Sequence, residues 1–159
     1  MEPVRSRTGI GVVAASMLLL ALAAGWIAAQ RAEAQQEINI FLPASSITTK
    51  HTGEGTNLGD RITARGPLTD VSQTEQIGFA YRECVVMRKI TGATSGLYRC
   101  SYVLDIAPGQ LVLEGMDPRG NGVYEMAVLG GSGGYAGAAG DAIFTDSAGG
   151  TDIVISLSG

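Results

Sequence analysis

Residues 113–141 read LEGMDPRGNGVYEMAVLGGSGGYAGAAGD. Two β-rich runs, Gln110–Met116 and Gly122–Leu129, flank a turn signal made of Asp117-Pro118 and Gly120-Asn121-Gly122. The glycines at Gly130–Gly134 invite a phosphate-loop reading, which the residues do not support. The pattern GxGxxG fails at Ala136, no GK[ST] follows, and the segment leads into a strand, not a helix N-terminus. What remains is a connection between strands with several positions at positive φ, which glycine adopts freely.

The same texture extends outward. No stretch after residue 35 sustains a 3.6-residue apolar period. Short runs alternate with breaks containing Gly or Pro: Ile38–Leu42, Asp60–Leu68, Gln76–Ile90, Leu97–Ala107, Gln110–Met116, Gly122–Leu129, Asp141–Thr145 and Thr151–Leu157. Many short strands between such turns predict an all-β, antiparallel fold. Eight of them in a meander can close into an up-and-down β-barrel, a calyx able to hold one small ligand. Leu111–Leu113 and Ile153–Ile155 are apolar with little alternation, which fits a filled or greasy barrel interior better than a one-sided sheet. A two-layer sandwich is the alternative.

Cys84 and Cys100 lie on consecutive predicted strands, with turn signals from Thr91 to Gly96 between them. A turn centred at 92 places the two directly opposite. Non-hydrogen-bonded antiparallel partners have Cα atoms ~4.5 Å apart, within bridging distance, so a structural disulfide is expected. Parity puts Arg82 and Arg88 on the Cys84 face and Glu83 with Arg99 on the other. A cross-strand Glu83–Arg99 ion pair is the plain expectation.

The N-terminus has Arg5 and Arg7, then the uncharged run Ile10–Ala29, then Ala32-Glu33-Ala34. A basic start, an apolar middle and A-x-A predict a signal peptide over 1–34, cleaved after Ala34. The alternative is an uncleaved hydrophobic helix anchoring an external domain, since the run is long enough to span a bilayer. Membrane contact is expected only through this segment, and a secreted or extracytoplasmic location suits a disulfide. The domain plan is 1–34 as the export segment, 35–57 as a first strand and loop, and 58–159 as the rest of the barrel. Export takes three of the 11 basic and two of the 15 acidic residues, leaving 8 and 13. That acidic balance disfavours nucleic acid as a partner. One His and two Cys provide too few ligands for a structural zinc site, so no metal or other cofactor is expected.

The segment quoted above resembles plant dirigent proteins and the wider allene oxide cyclase barrel superfamily. Dirigent chains read G-x-D-P, then E-[LM]-x-V-x-G-G-[ST]-G-x-[FY], then A-R-G-[YF]. The matching residues are Gly115-Met116-Asp117-Pro118, then Glu125-Met126-Ala127-Val128-Leu129-Gly130-Gly131-Ser132-Gly133-Gly134-Tyr135, then Ala138-Ala139-Gly140-Asp141. Upstream, Gly66-Pro67-Leu68-Thr69 is similar to D-P-L-T, and Ile77-Gly78 to the V-G opening the next strand. The resemblance spans residues 58–146. It implies an eight-stranded calyx whose cavity binds a hydrophobic or phenolic small molecule and directs its cyclisation or stereochemistry, mostly by orientation. Such a protein would be an isomerase or cyclase, and a homodimer or homotrimer is expected from the resemblance alone. The alternative function is a non-catalytic exported barrel that binds a ligand or serves the cell envelope.

Several family positions differ here. Gly66 replaces the acid before P-L-T, Tyr124 the Arg before Glu125, Ala139 the Arg of A-R-G, and Asp141 the aromatic after it. Asp117 and Glu125 remain as candidate catalytic acids. Asp117 also fits an Asx-type turn. Glu125, mid-strand among apolar residues, either enters the cavity or pairs with an Arg. Tyr81, Tyr98, Tyr102, Tyr124 and Tyr135 are candidate ligand-binding residues, although tyrosine also packs well in any strand. His51 sits in a Thr/Gly-rich segment read as loop. As the chain's one His, it is the sole base available for a Ser-His-Asp triad.

Overall fold

The computed structural model describes residues 36–89, 96–118 and 122–158. The expected export segment and most of the Thr91–Gly96 turn lie outside them. Nine strands follow in order: β1 Gln36–Pro43, β2 Thr48–Thr52, β3 Arg61–Thr69, β4 Gln76–Arg88, β5 Leu97–Ile106, β6 Gly109–Asp117, β7 Val123–Gly133, β8 Ala139–Asp146 and β9 Gly150–Ser158. Each of β3 to β8 pairs antiparallel with the next, and β9 pairs with β1. The ring shuts where Phe41 of β1 meets Thr69 of β3. The result is a closed eight-stranded antiparallel barrel, and closure leaves no free sheet edge around the ring.

The eight expected runs are β1 and β3–β9. Strand β2 is an addition. Its sequence, TTKHT, is exposed at every position and carries no apolar alternation, so only backbone pairing to β3 makes it a strand. A short 3₁₀ turn at Ala44–Ser46 separates it from β1. The two occupy one edge of β3 in succession. Thr48 faces Arg65, Phe41 faces Thr69, and Pro67 lies in the gap where one hands over to the other. Proline lacks the N–H a ladder needs, so a gap is where a strand tolerates it. His51 is therefore a strand residue, not a loop residue.

Alternation sets the interior. Inward positions are Ile40 and Leu42; Ile62 and Leu68; Ala80, Cys84 and Val86; Tyr98 through Ile106 at even numbers; Leu111 and Leu113; Met126 and Val128; Ala142 and Phe144; Ile153, Ile155 and Leu157. Leu68, Leu104, Leu111, Leu113, Ala142, Phe144, Ile153 and Ile155 are fully shielded from solvent. The middle of the barrel is thus an apolar core. One end is plugged by Tyr135, whose hydroxyl donates to the Ala107 carbonyl at 3.1 Å.

The glycine run builds that plugged end, though mostly for a different reason from the one the sequence suggests. Strand β7 continues through Gly133, and the connection to β8 follows it. A Cβ at Gly131 would lie 2.5 Å from the carbonyl oxygens of Gln110 and Tyr135. Here glycine serves close backbone approach. Gly133 combines both demands, with φ +62° and the Pro108 carbonyl 2.4 Å from a would-be Cβ. Among the described residues no helix is long and apolar enough to cross a membrane.

Candidate functional site at the barrel mouth

The open end is set by the β4–β5 hairpin. Its register places Cys84 opposite Cys100, and the two form a disulfide with Cα atoms 4.1 Å apart. Both cysteines face the interior. The expected Glu83–Arg99 pair does not form in this register. Glu83 faces Ser101 and its carboxylate binds Arg61 of β3 at 2.5 Å, while Arg99 reaches Glu114 of β6 at 3.6 Å. Glu83 and Arg99 each find a partner on the strand outside the hairpin, which a single hairpin cannot reveal.

Arg82, on the Cys84 face of β4, brings a guanidinium into the barrel. It lies across from Tyr102, and its Nη1 donates to the Tyr102 hydroxyl at 3.3 Å. The Tyr102 and Tyr124 hydroxyls are 3.4 Å apart. Both rings pack on Phe144, with centroids 4.9 Å and 5.0 Å away. The Nε of Arg82 is shut off from solvent without a hydrogen-bond partner among the described residues. Burial works to lower the Arg82 pKa, but Tyr102, Tyr124 and Asp117 outweigh it and hold the cation. Burial, then Tyr102, push the Tyr124 phenol far upward, so it stays neutral.

Above this network lies a cavity of about 250 Å³ lined by Thr49, His51, Ile62, Arg82, Cys84, Tyr98 and Asp117. Tyr98 and Asp117 are register partners on β5 and β6. Thr49 and His51 come from the inward side of β2, opposite Ala64 and Ile62. The cavity thus gathers a guanidinium, a carboxylate, an imidazole and a phenol over an apolar floor. It is slightly smaller than the ~300–1,000 Å³ usual for drug-sized ligands. A larger groove of about 720 Å³ lies on the outer surface between β2 and β6, walled by side chains such as Lys50, Arg65, Tyr81 and Glu83. It is open to solvent, and Arg82 borders it as well.

Of the residues singled out from sequence, Asp117 and Tyr98 line the mouth cavity. Tyr102 and Tyr124 lie beneath it in the core. Tyr135 is at the opposite end, where burial raises its pKa. Tyr81 points outward, 39% exposed, with the Arg65 guanidinium 5.2 Å from its ring centre. Glu125 is on the exposed outer face of β7. Sequence reasoning passed over Arg82, His51, Thr49 and Ile62 as site residues. For Arg82 the signal was present, since parity already put it beside Cys84. For His51 it was not, because β2 has no apolar pattern. Among the described residues no three His, Cys, Asp or Glu side chains are grouped to hold a metal.

The architecture defines a class: an antiparallel eight-stranded barrel with a packed body, one plugged end and a polar mouth. No protein-family model and no curated protein matches the chain. Solved structures do match. A pyocyanin demethylase is 18% identical with a TM-score of 0.65, over 77% of this chain and 100% of that one. An exo-specific intermolecular Diels-Alderase is 19% identical with a TM-score of 0.59, over 79% and 99%. A pterocarpan synthase dirigent protein is 15% identical with a TM-score of 0.58, over 78% and 84%. The chain therefore has the fold of the dirigent and cyclase barrels.

Proposed function

We propose that this protein is an exported barrel that binds a hydrophobic or phenolic small molecule at its mouth and orients it for cyclisation or stereocontrolled bond formation. One observation carries the reading: Arg82, whose Nε is buried and unpartnered among the described residues, lines a cavity that also presents Asp117, Tyr98 and His51. An unmade hydrogen bond on a buried charged group is costly and is a natural ligand contact. Orientation by fixed polar groups above an apolar floor suits a fold that also serves a Diels-Alderase and a dirigent protein. Asp117 is the acid placed to assist. The disulfide supports an oxidising compartment, in keeping with an export segment over 1–34. A dimer or trimer belongs to the same proposal, supported by Leu129 and Ile143, 59% and 48% exposed on the outer face.

A second reading, a non-catalytic envelope protein, is favoured by the apolar side chains that are fully buried in the barrel body. Calorimetric titration with 1-naphthol decides whether the mouth is a site. Binding is expected, and Ile62→Trp, which fills the cavity, should weaken it at least tenfold while the β circular dichroism is retained. Unaltered binding in I62W would locate the ligand elsewhere. Product chirality then separates the two functions: an enantiomeric excess in phenoxyl-radical coupling, lost in I62W, supports the orienting role, and a racemic product supports the non-catalytic one.

A further inference from the structure

We propose that the mouth selects small aromatic anions, with Arg82 holding the oxyanion. This rests on the reading of the mouth as the ligand site. Arg82 is the permanent cation among the cavity-lining side chains. One of its donors is spent on Tyr102, yet Nε is buried and unmatched among the described residues. The missing partner is therefore an acceptor. A charged acceptor makes a hydrogen bond roughly twice as strong as a neutral one. A ligand ammonium would bring another donor to a place that already has too many.

The apolar part of such a ligand has its surface too. Ile62, the Cys84 sulfur and the Tyr98 ring share the cavity with these polar groups. The space suits one or two fused rings, not an extended chain.

His51 is placed by its surroundings. It faces Ile62 in the β2–β3 register. Its ring lies against Gly55, where a Cβ would come within 2.4 Å of Nδ1. The loop carrying Gly55 is held by Asp60, whose carboxylate accepts the amides of Thr56 at 3.2 Å and Asn57 at 3.0 Å. His51 thus forms part of the cavity wall together with Arg82, Tyr98 and Asp117.

The test uses three isosteric probes on the purified protein: 1-naphthoate, 1-naphthalenemethanol and 1-naphthylmethylammonium, titrated calorimetrically at pH 8. Naphthoate is expected to bind about tenfold or more tighter than the alcohol, with the ammonium weakest. Arg82→Gln should remove that preference. The probe series needs no variant, so a poorly folding R82Q does not rescue the idea. Equal binding of carboxylate and alcohol, or an ammonium preference, overturns anion selection while leaving the mouth as a site. No binding of any probe overturns the reading of the mouth itself.

Discussion

Replacing both cysteines by alanine tests how the hairpin stabilises the barrel. Cys84 and Cys100 are 16 residues apart in sequence, 3% and 0% exposed, and form the wall beneath the mouth. Closing a loop of that length removes unfolded-chain entropy worth about 3 kcal/mol. The native side contributes less, because the register around the bridge is held by a continuous ladder from Gly78–Ile106 to Val86–Tyr98. For a domain of this size about 3 kcal/mol corresponds to a fall in Tm of roughly 10 °C. Urea unfolding followed by circular dichroism measures it, with the oxidised chain and the Cys84→Ala/Cys100→Ala variant compared at one pH. The expected outcome is a lower midpoint with unchanged native spectrum and a slightly larger urea slope, since the freed chain exposes more surface. A loss below about 1 kcal/mol would refute the loop-closure reasoning and mean that the ladder alone fixes the hairpin. A loss of native β signal would instead show that the bridge is needed to form the barrel at all.

Tyr124 gives the pH dependence. Its folded pKa lies well above the unfolded value, so its contribution is complete below about pH 10 and declines as pH rises beyond that. The expected slope is a loss of about 1.4 kcal/mol per pH unit, read from urea midpoints at successive alkaline pH values, and Tyr124→Phe should flatten it. Gly133→Ala should cost about 2–4 kcal/mol, because the methyl meets both a left-handed backbone and the Pro108 carbonyl. Gly137→Ala, with φ +79° and nothing within 4 Å, should cost only about 1–2 kcal/mol. Equal losses in thermal denaturation would show that close approach at Pro108 is unimportant.

The barrel was legible because its signals are local. Alternating apolar residues and turn-forming glycines mark β1 and β3–β9, and the Cys84–Cys100 register follows from where one turn must sit. Strand β2 was hidden, since Thr48–Thr52 buries nothing and takes its conformation from hydrogen bonds to a strand nine residues further on. The Glu83–Arg99 expectation failed for a related reason: each side chain had a second neighbouring strand to choose from. Glu125 illustrates the limit of motif likeness. Its position in the strand matches the family pattern, but parity with Tyr124 and Met126, both buried, turns it outward.

The sequence by itself determined an all-β meander, its eight ring strands and its disulfide, because periodicity and turn chemistry act over a few residues. The tertiary structure decided what the barrel contains. Closure at Phe41 and Thr69 brings β2 alongside the mouth, so that His51 meets Arg82 and Asp117 from distant parts of the chain. Apolar side chains from the eight ring strands together make the buried core of the body. Neither outcome is written in a window of sequence, because both depend on which inward positions share a level once the ring has closed.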